Sequence, residues 1–187
     1  GRSRIFSLRD AKGEPHVTIE VQPEQISNWA SLEDIVRMDY PQLYQQFLND
    51  ISPDGAKLNI KQWLKQNHPD NPLADPLSIK QIKGKQNKAP KEEYLPYVQD
   101  FVRSGNWSDV GDIENAGLIK HSGRYFTDAE LTDAAKKYGR MGVQDTPWEV
   151  ARQRHIDNGI PEEEALRNWV EAFKEGRGKL ELPPEEG

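Results

Sequence analysis

Residues 16–21 alternate without a fault: Val17, Ile19 and Val21 fall on one face, His16, Thr18 and Glu20 on the other. Period-two patterning of this kind predicts a strand with one buried face. Upstream, residues 4–9 mix apolar and polar positions. Asp10, Gly13 and Pro15 between them are turn residues, so 4–22 reads as a hairpin. A lone hairpin is marginal in water. The next strand-like stretch is 77–83, far downstream, and its pairing with 16–22 is predicted. Ile79 and Ile82 fall on opposite faces there, which fits either a bulge or a strand covered on both sides.

The rest of the pattern is helical. Ser31, with Asp34 three residues on, predicts the cap of a short helix reaching Met38. Pro41 opens a second helix over 42–50, with Leu43, Tyr44, Phe47 and Leu48 on one face. Asn59 caps a third, striped by Ile60, Trp63 and Leu64. Residues 84–90 form a basic loop, and 91–104 predict a helix whose regular part starts near Pro96. Residues 105–123 read as loop. Thr127 and Glu130 form a capping box before a helix that Gly139 stops. Thr146 to Glu149 offer a second box with Pro147 at the first helical position, for a helix ending near Asn158 and Gly159. Pro161 opens the last helix, with Glu162, Glu163 and Glu164 at its positive end and Gly176 as its stop. These two helices predict an αα-hairpin. Residues 180–187 read as a Pro/Glu tail with nothing to bury.

The predicted fold is therefore α+β: a small three-stranded antiparallel sheet (4–9, 16–22, 77–83) with helix 91–104 packed on it. A helical insert joins strands two and three, and a helical part ends the chain. The organisation expected is a core of 1–22 plus 77–107, an insert of 23–76, a loop and helical part of 108–180, and a tail of 181–187.

Composition narrows the function. In 187 residues only 35% are hydrophobic and 30% are charged, so the core is thin and part of the chain is expected to need a partner. Five Trp, six Tyr and five Phe argue against disorder throughout. With no Cys, disulfides, thiolate metal sites and a Cys nucleophile are excluded. A net charge of −6 and a pI near 5.3 make the whole chain a poor ligand for nucleic acid or anionic lipid. No apolar run approaches the roughly 20 residues that span a bilayer, so no membrane partner is expected. The opening residues lead into a strand pattern rather than a signal peptide. A start on Gly1 suggests a processed product or an excised domain.

Catalytic patterns are missing. The four His (16, 68, 121, 155) stand apart, with no HExxH or His-x-His pair. Asp109, Asp112 and Glu114 could serve a hard cation but lack the EF-hand series; loop solvation or helix capping is the alternative. Gly84 and Lys85 lack the frame of a phosphate loop. No catalytic residue, cofactor or metal is predicted.

Two constellations remain. Between residues 77 and 103, six cations face three carboxylates, a local +3. Lys83, Lys85 and Lys88 with Asn87 could meet a phosphate backbone, and Tyr94 and Tyr97 could stack a base. The plainer alternative is a set of lysines guarding an exposed strand edge. From Gln144 onward, eleven acids face six bases, so nucleic acid would be repelled there. The second constellation is the polar sheet face: His16, Thr18 and Glu20, with Gln81 and Lys83 beside them and Arg9 joining from the first strand. It reads as a solvated face or, if covered, a binding cleft.

Two of these stretches carry a resemblance. Residues 7–21 look like the opening hairpin of PcfJ-like proteins, a group found on conjugative elements. Residues 79–90 look like their Gln-x-x-Gly-x-x-Asn-x-x-Pro signature, here Gln81, Gly84, Asn87 and Pro90. Similar hairpin, basic-loop and Tyr-Leu-Pro-Tyr-Val-Gln-Asp-Phe segments (residues 94–101) occur in very large phage-encoded proteins, some virion-associated. The likeness spans residues 4–22 and 77–107; the insert and the last third lie outside it. It implies a phage or mobile-element origin and no assigned reaction. The expected function is a non-enzymatic module, virion-associated or delivered to the host cytoplasm, that binds protein or nucleic acid. The alternatives are an enzyme acting on a nucleotide or nucleic acid, and a structural linker domain of a giant protein.

Overall fold

The computed structural model describes residues 3–23, 29–51, 59–105 and 107–184. The chain divides into two compact units, residues 1–116 and 117–187.

The first unit holds a mixed sheet in the order β1-β2-β3-β4: β1 (Arg4–Arg9), β2 (Pro15–Pro23), β3 (Leu77–Gly84) and β4 (Asp109–Val110). The long-range antiparallel pairing of β2 with β3 is present: Ile19 stands opposite Ile82, and Val21 opposite Ile79. The sequence prediction of three strands missed the fourth. Two-residue β4, parallel to β3, is too short to show any alternation.

A shift of register between Glu20 and Val21 leaves Lys80 without a partner, and this bulge explains the imperfect alternation. The extra residue resets the phase, so Ile79 and Ile82 are both buried with Val17, Ile19 and Val21. The core side of the sheet faces α4 (Leu95–Ser104): Phe101 meets Phe6 of β1 at 5.0 Å between ring centroids, and Val98 and Val102 are buried. Regular helix starts at Leu95, one residue before Pro96, as the sequence indicates.

The insert forms α1 (Trp29–Asp39), α2 (Pro41–Ile51) and α3 (Ile60–Asn67). Leu32, Val36, Phe47, Ile60, Trp63 and Leu64 make its core, with Leu73 and Ala74 from the exit loop. Asn59 caps α3 as predicted, its side-chain oxygen accepting from Gln62 N at 2.9 Å. The predicted N-cap position, Ser31, falls inside α1, which begins at Trp29. The predicted stretches 24–28 and 52–58 of the insert lie outside the described residues.

The second unit has two small sheets: β5 (Ile119–His121) with β6 (Arg124–Phe126), and β7 (Gly139–Met141) between β8 (Thr146–Pro147) and β9 (Lys179–Leu180). Around them stand α5 (Asp128–Tyr138), α6 (Trp148–Asp157) and α7 (Glu162–Lys174). Leu131, Trp148, Ala165, Trp169, Val170 and Phe173 form the core. The Thr127–Glu130 box closes as read, with bonds of 3.2 and 2.8 Å. The second box does not form. Thr146 pairs with Met141 in a strand, and α6 starts at Trp148 with no side-chain cap. Nor is the tail idle, since Leu180 is buried in β9 and Leu182 packs on the core. Gly139 ends α5 in extended backbone; a Cβ there would lie 2.3 Å from Ala135 O and 2.8 Å from Phe173 Cζ, so close packing requires the glycine.

Candidate functional site

A second irregularity of β2 builds the site. Leu8 pairs with Val17 but Arg9 with Pro15, which leaves His16 as the extra residue of another bulge. Strict alternation would stand His16 beside Thr18 and Glu20. Instead its ring stacks on Tyr94, 4.4 Å between centroids at an interplanar angle of 16°. Its Nε2 lies 2.8 Å from Asp10 Oδ2. Asp10 Oδ1 accepts from Lys12 N and Glu14 N, so the turn carboxylate both closes the hairpin and holds the imidazole. The bond to His16, then those from the backbone, lowers the Asp10 pKa below the usual carboxylate range.

The opposite wall comes from the loop after β3. Gly84 N donates to Lys88 O at 2.6 Å, and Lys88 N to Lys85 O at 3.2 Å. Gln86 and Asn87 both take left-handed backbone, φ 58° and 60°. A Cβ on Gly84 would lie 2.8 Å from Ala89 O and 2.9 Å from Pro90 Cα. Each member of the Gly-x-x-Asn-x-x-Pro spacing thus has a local reason. Gly84 admits the returning backbone, Asn87 tolerates the left-handed turn, and buried Pro90 fixes the exit.

Loop and hairpin together line a cavity of about 290 Å³ with His16, Lys85, Gln86, Lys88, Lys91 and Tyr94. Lys85 reaches Glu14 at 3.6 Å, with both side chains mostly in solvent. Lys88 and Lys91 form no ion pair among the described residues. Partial burial first, then the carboxylates of Glu93, Asp10 and Glu14, raises the pKa of the Tyr94 phenol. Among the described residues, Asp10, Glu14 and His16 place one ligand atom each within 4.8 Å of one another, the one grouping with metal-ligand chemistry. Asp10 and His16 are already bonded to each other there.

Of the residues singled out by sequence, His16, Lys85, Lys88 and Tyr94 meet in this cavity, and Gly84 and Asn87 shape its loop. The others stand elsewhere. Glu20 faces Gln81 across the strands, accepting from Ser3 Oγ at 2.9 Å and Gln22 Nε2 at 2.7 Å. Arg9 donates to Gly13 O at 2.8 Å. Lys83 sits 3.2 Å from Asp112 Oδ2. Tyr97 is 60% exposed on α4, outside the cavity lining. Sequence reasoning missed Asp10, Glu14 and Gln86. Asp10 and Glu14 read as turn residues, and their closeness to the 85–94 loop is purely tertiary.

One member of the acidic series in the 105–123 region, Asp112, has a structural role. Asp112 Oδ2 accepts from Ile82 N at 3.2 Å and Asn115 Nδ2 donates to Ile82 O at 2.7 Å. Their side chains continue the ladder along the β3 edge where β4 stops.

The chain matches no family model, and no curated protein or solved structure matches it.

Proposed function

We propose that this chain is a non-enzymatic binding module of a larger phage or mobile-element protein, virion-associated or delivered to the host, and that it grips single-stranded nucleic acid weakly at the 85–94 loop. The observation that carries this reading is the convergence of Lys85, Lys88 and Lys91 with the stacked His16–Tyr94 pair on one cavity. Ammonium groups on a loop meet phosphate oxygens without reading sequence. An aromatic wall suits an unpaired base, at about 1–3 kcal/mol per base stacked. The phage context rests on the PcfJ-like resemblance of the hairpin and the loop.

The test is a titration of the full chain with a short oligothymidylate at low and moderate salt. Three phosphate contacts give a slope of log K against log salt of about −2 on a single strand. The triple substitution Lys85→Glu, Lys88→Glu, Lys91→Glu should abolish binding. Equal affinity of variant and wild type, or no wild-type binding at low salt, rejects the nucleic-acid reading.

A second reading has its own observation. β1 is an edge strand of its sheet, and it exposes Ile5 (60%) and Phe6 (42%). A strand from a protein partner could add there, bonding to backbone and seating side chains on those two residues. Slower hydrogen exchange of β1 amides in the parent assembly than in the isolated chain would support it; unchanged exchange would reject it.

A further inference from the structure

We infer that the second unit carries a separate binding groove, between α6 and α7, for a small organic anion: a carboxylate or phosphate on a planar apolar body. The groove has a volume of about 580 Å³. One side is a single face of α6, where Ala151, Arg154, His155 and Asn158 recur at the three- and four-residue spacing of a helix. The other side is Asn168, Trp169 and Ala172 of α7. Arg177, in the loop after α7, also lines it.

Three observations select the ligand class. First, no carboxylate lines this groove, although the chain around it is acidic, with eleven acids against six bases from Gln144 onward. Second, the side chains of Arg154, His155, Asn158 and Asn168 make no hydrogen bond or ion pair among the described residues. Arg177 has only an exposed contact with Glu175 at 2.7 Å. Arg154 and His155 occupy the last turn of α6, where cations are favoured. Third, the floor is apolar: Ala151, Trp169 and Ala172 are at most 9% exposed, and the indole is fixed by its Nε1 donating to Ala135 O at 2.9 Å. Unpaired donors above a rigid apolar floor suit a ligand with an anionic head and a flat body.

Solution NMR of the full chain tests this, with benzoate and phenyl phosphate as probes and neutral benzamide and small acetate as controls. An open groove and a small ligand limit the affinity to a Kd on the order of 1 mM. Shifts should fall on 151–158 and 168–172. Benzoate should bind about tenfold tighter than benzamide, for the charge, and about tenfold tighter than acetate, for the floor. Comparing benzoate with phenyl phosphate identifies the preferred head group. Arg154→Gln, an exposed substitution, should weaken the better probe about tenfold. Benzamide matching benzoate, Arg154→Gln behaving as wild type, shifts confined to other residues, or no binding up to about 10 mM would each overturn the inference.

Discussion

The 85–94 pocket and the α6–α7 groove are built in opposite ways. The 85–94 pocket is made of backbone irregularity: a bulge at His16, two left-handed residues at 86 and 87, and a glycine with no room for a side chain. The α6–α7 groove is made mostly of helix periodicity, its two long sides following from the spacing of residues on α6 and α7, with Arg177 added from the loop. A pocket of the first kind fails when its backbone changes, and the surrounding core need not notice. A groove of the second kind keeps its backbone and is emptied by side-chain changes, but its floor is also the core.

That contrast can be broken from the groove side first. Trp169→Ala should cost about 3–5 kcal/mol, as removal of a buried Trp does, and unfold the helix pair before the groove can be assayed. If denaturant melts show less than about 1 kcal/mol, floor and core are not the same residues. Next, Gly84→Ala should cost about 1–3 kcal/mol through the clash with Ala89 and Pro90. It should remove oligonucleotide binding while leaving any benzoate titration of the groove unchanged.

A smaller effect has the opposite sign. Gln86→Gly relieves a left-handed residue and should stabilise the chain by up to about 1 kcal/mol. A loss of stability would mean that the Gln86 side chain contributes packing. The smallest effect is a pH dependence. Because the Asp10 pKa is lowered in the fold, its contribution is complete above the ordinary aspartate value near ~3.9. It is lost as pH falls through the folded value. Asp10→Asn should flatten that part of the acid limb of urea midpoints. An identical acid limb in the variant would show that the His16 contact does not persist in solution.

What the sequence made legible follows the same division. Local signals carried the helices: the Asn59 cap, the Thr127–Glu130 box and the start of regular helix beside Pro96 lie where their residues place them. The pairing of β2 with β3 was legible too, because strands with one apolar face need partners. Register was not. The bulge at Lys80 showed only as broken alternation, which a strand covered on both sides would also give, and the bulge at His16 left no sign at all; the first brings Ile79 and Ile82 into one core, and the second takes His16 from the polar face to Tyr94. Thr146 carried a good cap signal that strand pairing with Met141 outweighed. Leu180 and Leu182 were hidden by the prolines and glutamates around them. The groove left no trace because α6 has almost no apolar stripe: Trp148 and Ala151 are its buried residues, and the groove side adds only Arg154, His155 and Asn158.

The short cover over β3 decides how many molecules can join. Gly111 N donates to Ile79 O, and Asp112 and Asn115 take the bonds of Ile82, so the outer side of β3 is largely occupied and the longest open edge of this sheet is β1. A sheet whose far edge is a two-residue strand offers β1 as its one long template, so edge-to-edge self-association favours two molecules. A fragment cut ahead of Asp109 would have two open edges, and each added molecule would offer a fresh one. Light scattering should then distinguish a bounded particle from the chain ending after Ala116 and a growing one from the chain ending at Gly105. The eight residues from Asp109 to Ala116 separate a terminated stoichiometry from an open-ended polymer, through where they lie rather than through any bulk of their own.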